Sequence, residues 1–223
     1  MITFKQFLGE GEETDLVKVI NKQCAEFLSQ THRAGLLVRG MRSLGPASNI
    51  GHFANPLYKG GNRARQDTVI EYALKAPRSD RKPSDTPRRI HVILDRWFNQ
   101  HFGVNARSAA TFCYGEKSRD QVLQYGTAYA VFPVGDFKII WSPKIADLYG
   151  DVETELLPKI RRGEFDDEET AISEWMMEQD YTDSKPVEAI KSNMELMLIC
   201  SKYYAFAYSD YASMLHEVLD IAK

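Results

Sequence analysis

Apolar residues recur at three- and four-residue steps between Thr14 and Gln30, as Leu16, Val17, Val19, Ile20, Cys24, Phe27 and Leu28, after an acidic start at Glu12, Glu13 and Asp15. That spacing predicts an amphipathic helix. Beyond Gly35 the period changes: Leu36, Leu37 and Val38 run together and are closed by Arg39 and Gly40, which predicts a short buried strand. Helical spacing returns with Ile90, Ile93, Leu94, Trp97, Phe98 and Phe102, bounded by Asp85 or Thr86 as a cap, Pro87 in the first turn and Gly103 at the end. Asn105 to Gly115 then predicts a small-residue strand ending in an aromatic and a glycine, followed by a helix over 118–125. Ala128 to Pro133 and Phe137 to Pro143 predict two strands around a Val134-Gly135-Asp136 turn, and the stretch from Ser192 to Phe206 predicts two more around Ser201-Lys202. The acidic stretch after Asp147 reads as helical, with Trp175 and Met176 giving it apolar contact, and Tyr211 to Ile221 as a closing helix.

Between these elements, Leu44 to Asn62 is rich in Gly, Pro, Asn and Ser, with Gly60-Gly61 its softest point, and Lys75 to Pro87 is a basic loop punctuated by proline. The order of helix, strand, helix and then several strands predicts α+β architecture in a single domain over 1–223, with an inserted loop and basic helix around 44–104. Charge is unevenly spread although the formal net is only −3. Lys59 to Arg107 holds eight Arg and three Lys against five acids, a net of +6, whereas Ala146 to Asp183 holds three basic residues against 13 acids, a net of −10. The two segments either pair with each other or face water, or the basic one meets nucleic acid, nucleotide phosphates or an acidic protein face.

Several functional classes are argued against. Cys24, Cys113 and Cys200 are far apart with no Cys-x-x-Cys, so neither a disulfide framework nor a thiolate metal site is expected, and a reducing cytoplasm is the simplest location. The five histidines show no His-x-x-x-His spacing, and no metal is expected. No run of about 18 apolar residues predicts a membrane span, and Met1 to Gly11 has no basic start followed by an apolar core.

Two residues carry candidate chemistry by type and position. Glu195 is the one acid between Ser192 and Phe206, set after a polar Ser-Asn pair at the start of an apolar strand, where a carboxylate can look into a cleft. Arg39 closes the first buried strand, and its planar fork of donors suits phosphate or carboxylate. Ser108 lies among small residues that leave room close to the backbone. It has no nearby His/Asp pair or Gly-x-Ser-x-Gly setting, which argues for a positioning hydroxyl over a hydrolase nucleophile.

An arginine closing the first strand (Leu37-Val38-Arg39-Gly40), a serine before an aromatic (Arg107-Ser108-Ala109-Ala110-Thr111-Phe112) and a late glutamate opening a strand (Ser192-Asn193-Met194-Glu195) come in that order. This pattern resembles the Arg-Ser-Glu class of mono-ADP-ribosyltransferases, and the block from Arg78 to Tyr149 is similar to bacteriophage-encoded proteins. The resemblance implies a split β-sandwich that binds NAD as substrate and transfers its ADP-ribose. It implies Glu195, Ser108 and Arg39 as catalytic residues, with Arg39, Gly40, Ser108, Phe112 and Tyr114 around the cofactor. The second and third hydroxyls of the family's Ser-Thr-Ser are replaced by Ala109 and Ala110, with Thr111 one step late. Asn193 stands where the family commonly has Glu or Gln and would position the acceptor; an amide there argues against arginine as the target. The partners implied are NAD, a protein or nucleic-acid acceptor, and a host target or cognate antitoxin, in the setting of a toxin or phage weapon in the host cytoplasm.

Two other classes fit the residues: a non-catalytic inhibitor that grips an acidic host protein through the basic 59–107 segment, and a nucleic-acid-binding protein using the same arginines with Trp97, Phe98 and Tyr114. Salt dependence separates them, since nucleic-acid affinity falls steeply with ionic strength.

Overall fold

The computed structural model describes residues 19–31, 34–41, 72–77 and 86–207. The loop at 44–62, most of the basic loop before Pro87 and the closing helix at 211–221 lie outside them. Within them the protein is α+β, and hydrogen bonds join five strands into one antiparallel sheet: β1 (Leu37–Met41), β2 (Tyr72–Lys75), β3 (Thr111–Gly115), β4 (Thr127–Trp141) and β5 (Leu196–Ala207). β5 pairs with β3, β3 with β1, β1 with β4, and β4 again with β5, so four strands close on themselves while β2 lies along the far half of β5.

Closure depends on two long bent strands. Val134-Gly135-Asp136 and Ser201-Lys202 were expected to be turns between separate strands; instead β4 and β5 each run through. Their register shifts by one residue between Val134 and Phe137, where Val134 faces Lys202 and Phe137 faces Cys200. A bulge of this kind bends and twists a ladder without ending it. Gly135, Asp136, Ser201 and Lys202 are exposed at that bend, so their polarity marks a shared kink rather than two hairpins. The far side of β4 is then free to pair its first half with β1, and that of β5 to pair its halves with β3 and β2.

Alternation across the pleat gives the sheet two apolar faces. On one, residues 19–23, Cys24 at a break in the helix, and α1 (Ala25–Thr31) supply Ile20, Cys24, Phe27 and Leu28 against Phe132, Leu196, Leu198 and Phe206. On the other, α2 (Arg88–Phe102) buries Ile90, Ile93, Leu94, Trp97 and Phe98 over Ile140 and Met197. α2 ends as expected, Gly103 taking a left-handed φ of 73° and returning its N–H to Asn99. Its start differs from expectation. Pro87 itself holds the cap position with no side-chain cap, which a residue with no N–H of its own tolerates. The strand expected over 105–115 is split as well: Ala106–Ala109 is a short helix, α3, and only Thr111–Gly115 is strand.

The acidic region lies beside α2. After a short helix, α4 (Arg119–Val122), and a further turn, α5 (Leu148–Asp151) runs through a π-helical segment into α6 (Leu157–Arg161). α7 (Glu168–Met177) is capped by Asp167, whose carboxylate accepts the backbone N–H and hydroxyl of Thr170. Arg89 pairs with Glu168, and Arg96 with Glu169, so the basic and acidic segments meet each other along α2 and α7. α8 (Pro186–Lys191) leads into the loop before β5.

Candidate functional site

Glu195 directly precedes β5 and continues the alternation of Met197 and Ile199, which puts it on the face covered by α2 and α3. It is only 8% exposed, against the ordinary expectation for an acid at a strand end. The loop that delivers it is tied to α8: Ser192 donates its hydroxyl to Ala189 O and accepts the N–H of Met194. Arg107 of α3 meets the carboxylate, its Nη1 donating to Oε1 at 2.9 Å, with both side chains about 10% exposed. The Arg107 guanidinium carbon lies 4.6 Å from the centroid of the Phe112 ring, a cation–π contact. Its Nε is buried and makes no hydrogen bond.

Two tyrosines lie within electrostatic reach of Glu195. The Tyr181 ring packs edge-on against Trp97 and Phe98, at centroid distances of 5.9 and 5.0 Å. Its loop is held by the Trp141–Thr182 bridge, by Trp141 Nε1 donating to Ser184 O, and by two left-handed residues, Asp180 and Lys185. Burial first, and the Glu195 carboxylate second, push the Tyr181 hydroxyl well above the usual tyrosine range, with Arg107 pulling the other way. Tyr114 on β3 is shifted upward too, by burial, then by Glu195, and by its hydrogen bond with Tyr125 among smaller causes. Both therefore stay protonated near neutral pH. Asp147 and Asp151 lie within electrostatic reach, and burial raises the Asp151 carboxyl above its ordinary value.

The other expected site residues are distributed unevenly. Phe112, Tyr114 and Glu195 share one face. Arg39 does not: it stands opposite Tyr129, and its charge acts on Cys113 and Tyr203 on the reverse face. The pleat accounts for this. Val38 pairs with Tyr114, so the next residue along β1 must point the other way. Gly40 is on the Tyr114 face, but the space above it is taken. A Cβ there would lie 2.5 Å from Val122 O and 2.7 Å from Tyr125 Cβ, so this glycine admits the 122–125 turn rather than a ligand. Asn193 is exposed, and its Oδ1 accepts from Ser118 at 3.4 Å.

Ser108 lies one residue from the Arg107–Glu195 pair and points elsewhere. Its hydroxyl donates to Asp95 Oδ2, its N–H reaches Asp95 Oδ1 at 3.1 Å, and His91 Nε2 is 3.0 Å from its Oγ. A His/Asp pair is thus beside Ser108 after all, supplied by α2. It lacks the order of a nucleophile relay, in which histidine stands between serine and acid. Here the acid takes the hydroxyl directly, and the same His91 nitrogen is 3.4 Å from Asp95 Oδ2. Arg107, Tyr181, Tyr125, His91 and Asp95 were not singled out as site residues by sequence reasoning. Only the last two left a local trace, as polar residues four apart within the buried stripe of α2.

Among the described residues no group of three His, Cys, Asp or Glu side chains is arranged to hold a metal ion, and no helix is long and apolar enough to cross a membrane. The chain matches no known family pattern, no curated protein and no solved structure.

Proposed function

We propose that this chain is a mono-ADP-ribosyltransferase that splits NAD between nicotinamide and ribose and passes ADP-ribose to a protein or nucleic-acid acceptor, with Glu195 as its carboxylate. The observation that carries the proposal is an acid buried directly before β5 and paired with an arginine that lies over the Phe112 ring of the neighbouring β3. As the bond from ribose C1′ to the nicotinamide nitrogen breaks, its electron pair leaves with nicotinamide and the ribose becomes oxocarbenium-like. A fixed anion stabilises that charge most where water is excluded. The acceptor then supplies the new bond to C1′ and loses its proton. Tyr114 and Tyr181, kept protonated, offer hydroxyl donors without adding charge.

The arginine of the site is Arg107 in this proposal, because Arg39 is on the reverse face. A diphosphate suits the Arg107 fork, and drawing Nη1 from Glu195 releases a carboxylate oxygen for the ribose 2′-hydroxyl. A toxin or phage effector acting in a host cytoplasm is the proposed setting. The alternative of a binder working through the basic 59–107 segment is less favoured, since Arg89, Arg96 and Arg107 are already engaged with acids of this chain. The test is incubation with labelled NAD and a bacterial lysate beside Glu195→Gln, followed by separate nuclease and protease digestion. Label with the wild type only is expected, and the digestion that removes it identifies the acceptor. No label and no released nicotinamide from the wild type refutes the proposal.

A further inference from the structure

We propose that Asp95, with His91 beside it, is a positioning residue for the Glu195 site, clamping α3 so that Arg107 meets Glu195. The catalytic meaning of this clamp rests on the transferase reading; the clamp itself does not. α3 is a helix of four residues whose Asn105 cap makes no side-chain bond, and so short a helix has no stability of its own. Something outside it must hold it. Asp95 does so from the long, well-packed α2, taking both the N–H and the O–H of Ser108, while His91 Nε2 closes on the same hydroxyl.

Arg107, the preceding residue, depends on that placement. Among the described residues its guanidinium donates to Glu195 and lies over the Phe112 ring, and its Nε has no acceptor. An arginine tethered so sparingly at its tip is aimed chiefly by where its backbone stands. Ser108 is therefore the handle on α3, and Asp95 is what grips it. The hydroxyl already donates to Asp95, which leaves it poorly disposed to attack or to orient a ribose.

The test is exchange of the Arg107 Nε–H with solvent by ¹⁵N NMR, with the Trp141 Nε1–H, bonded to Ser184 O, as the reporter of opening away from α3. In Asp95→Ala, exchange at Arg107 is expected to rise at least tenfold while Trp141 is unchanged, and Asp95→Asn, which keeps an acceptor for Ser108, is expected to restore most of the protection. If Asp95→Ala does not fold, Ser108→Ala removes the hydroxyl link alone and is expected to give a smaller, still local, rise, with Ser108→Thr recovering it. Unchanged Arg107 exchange in a folded variant, or equal rises at Arg107 and Trp141, overturns the clamp. Labelling of Ser108 by a fluorophosphonate also overturns it, by showing a nucleophile. If the wild type turns over NAD, Asp95→Ala should lower kcat/KM for NAD at least tenfold, with KM raised because the Arg107 fork that takes the diphosphate is displaced; a wild type inactive on NAD refutes the transferase while the exchange result stands.

Discussion

Removing the positive member of the Arg107–Glu195 pair should cost far more than removing any surface charge. In Arg107→Met the unbranched stem is kept and the guanidinium is lost, while Glu195 remains in a site where both side chains are about 10% exposed. Solvent screening, which reduces exposed pairs to about 0–1 kcal/mol, is largely missing. Breaking a buried pair by deleting one partner costs about 3–5 kcal/mol, and the lost contact with Phe112 adds roughly 0.5–2 kcal/mol. Against a total stability of about 5–15 kcal/mol, that is a large fraction. Arg107→Met combined with Glu195→Gln removes the buried charge that has lost its arginine, so the double variant should be more stable than Arg107→Met alone by about 2 kcal/mol or more. Urea unfolding followed by tryptophan fluorescence measures both, with the slope checked for constancy. A loss below about 1 kcal/mol in Arg107→Met, or a double variant less stable than the single one, refutes the description of this pair as buried and mutually dependent.

Three further outcomes are expected. Gly40→Ala places a methyl against the Val122 carbonyl and Tyr125, and overpacking of this kind should cost about 1–3 kcal/mol; an unchanged melting temperature would show that the 122–125 turn yields freely. Burial pushes the Cys24, Cys113 and Cys200 thiols up to about 12 from an ordinary 9.0, so the folded state holds protons that the unfolded chain releases. Their contribution is fully present below pH 9.0, and stability falls as pH rises from there towards about 12; urea midpoints at pH 8 and pH 10.5 should show the drop, and equal midpoints would contradict it. The same thiols should resist a disulfide reagent at pH 8 in the native protein and react on unfolding, with fast native labelling of Cys113 as the opposing result.

Local periodicity made α2, β1 and the burial of β5 legible, because each is written in a run of apolar positions. The opposition of the 59–107 and 146–183 segments was legible as charge, and Arg89–Glu168 and Arg96–Glu169 carry it out. What local pattern could not convey was anything decided by distant partners. Gly135 and Lys202 have the chemistry of turn residues, and only the pairing of β4 with β5 makes them a bend. Ala106 to Ala109 is too short to show a period, and its alanines favour a helix wherever a neighbouring element will hold one. The choice between Arg39 and Arg107 as the partner of Glu195 rests on pleat parity and on a contact across 88 positions, neither of which a short motif encodes.

The shared kink in β4 and β5 also governs how the protein can come apart. Each long strand serves two sections of the ring, one with β1 and β2 as neighbours and one with β3. A break between β4 and β5 on one side of the bend pulls on backbone that is still bonded on the other, so the two sections have no hinge at which to separate. The amides on both sides of Gly135 should therefore behave as one cooperative unit, opening together or not at all. The chain must also bring its distant segments into register before that unit can form, so that early folding is set by the slow closure of long loops.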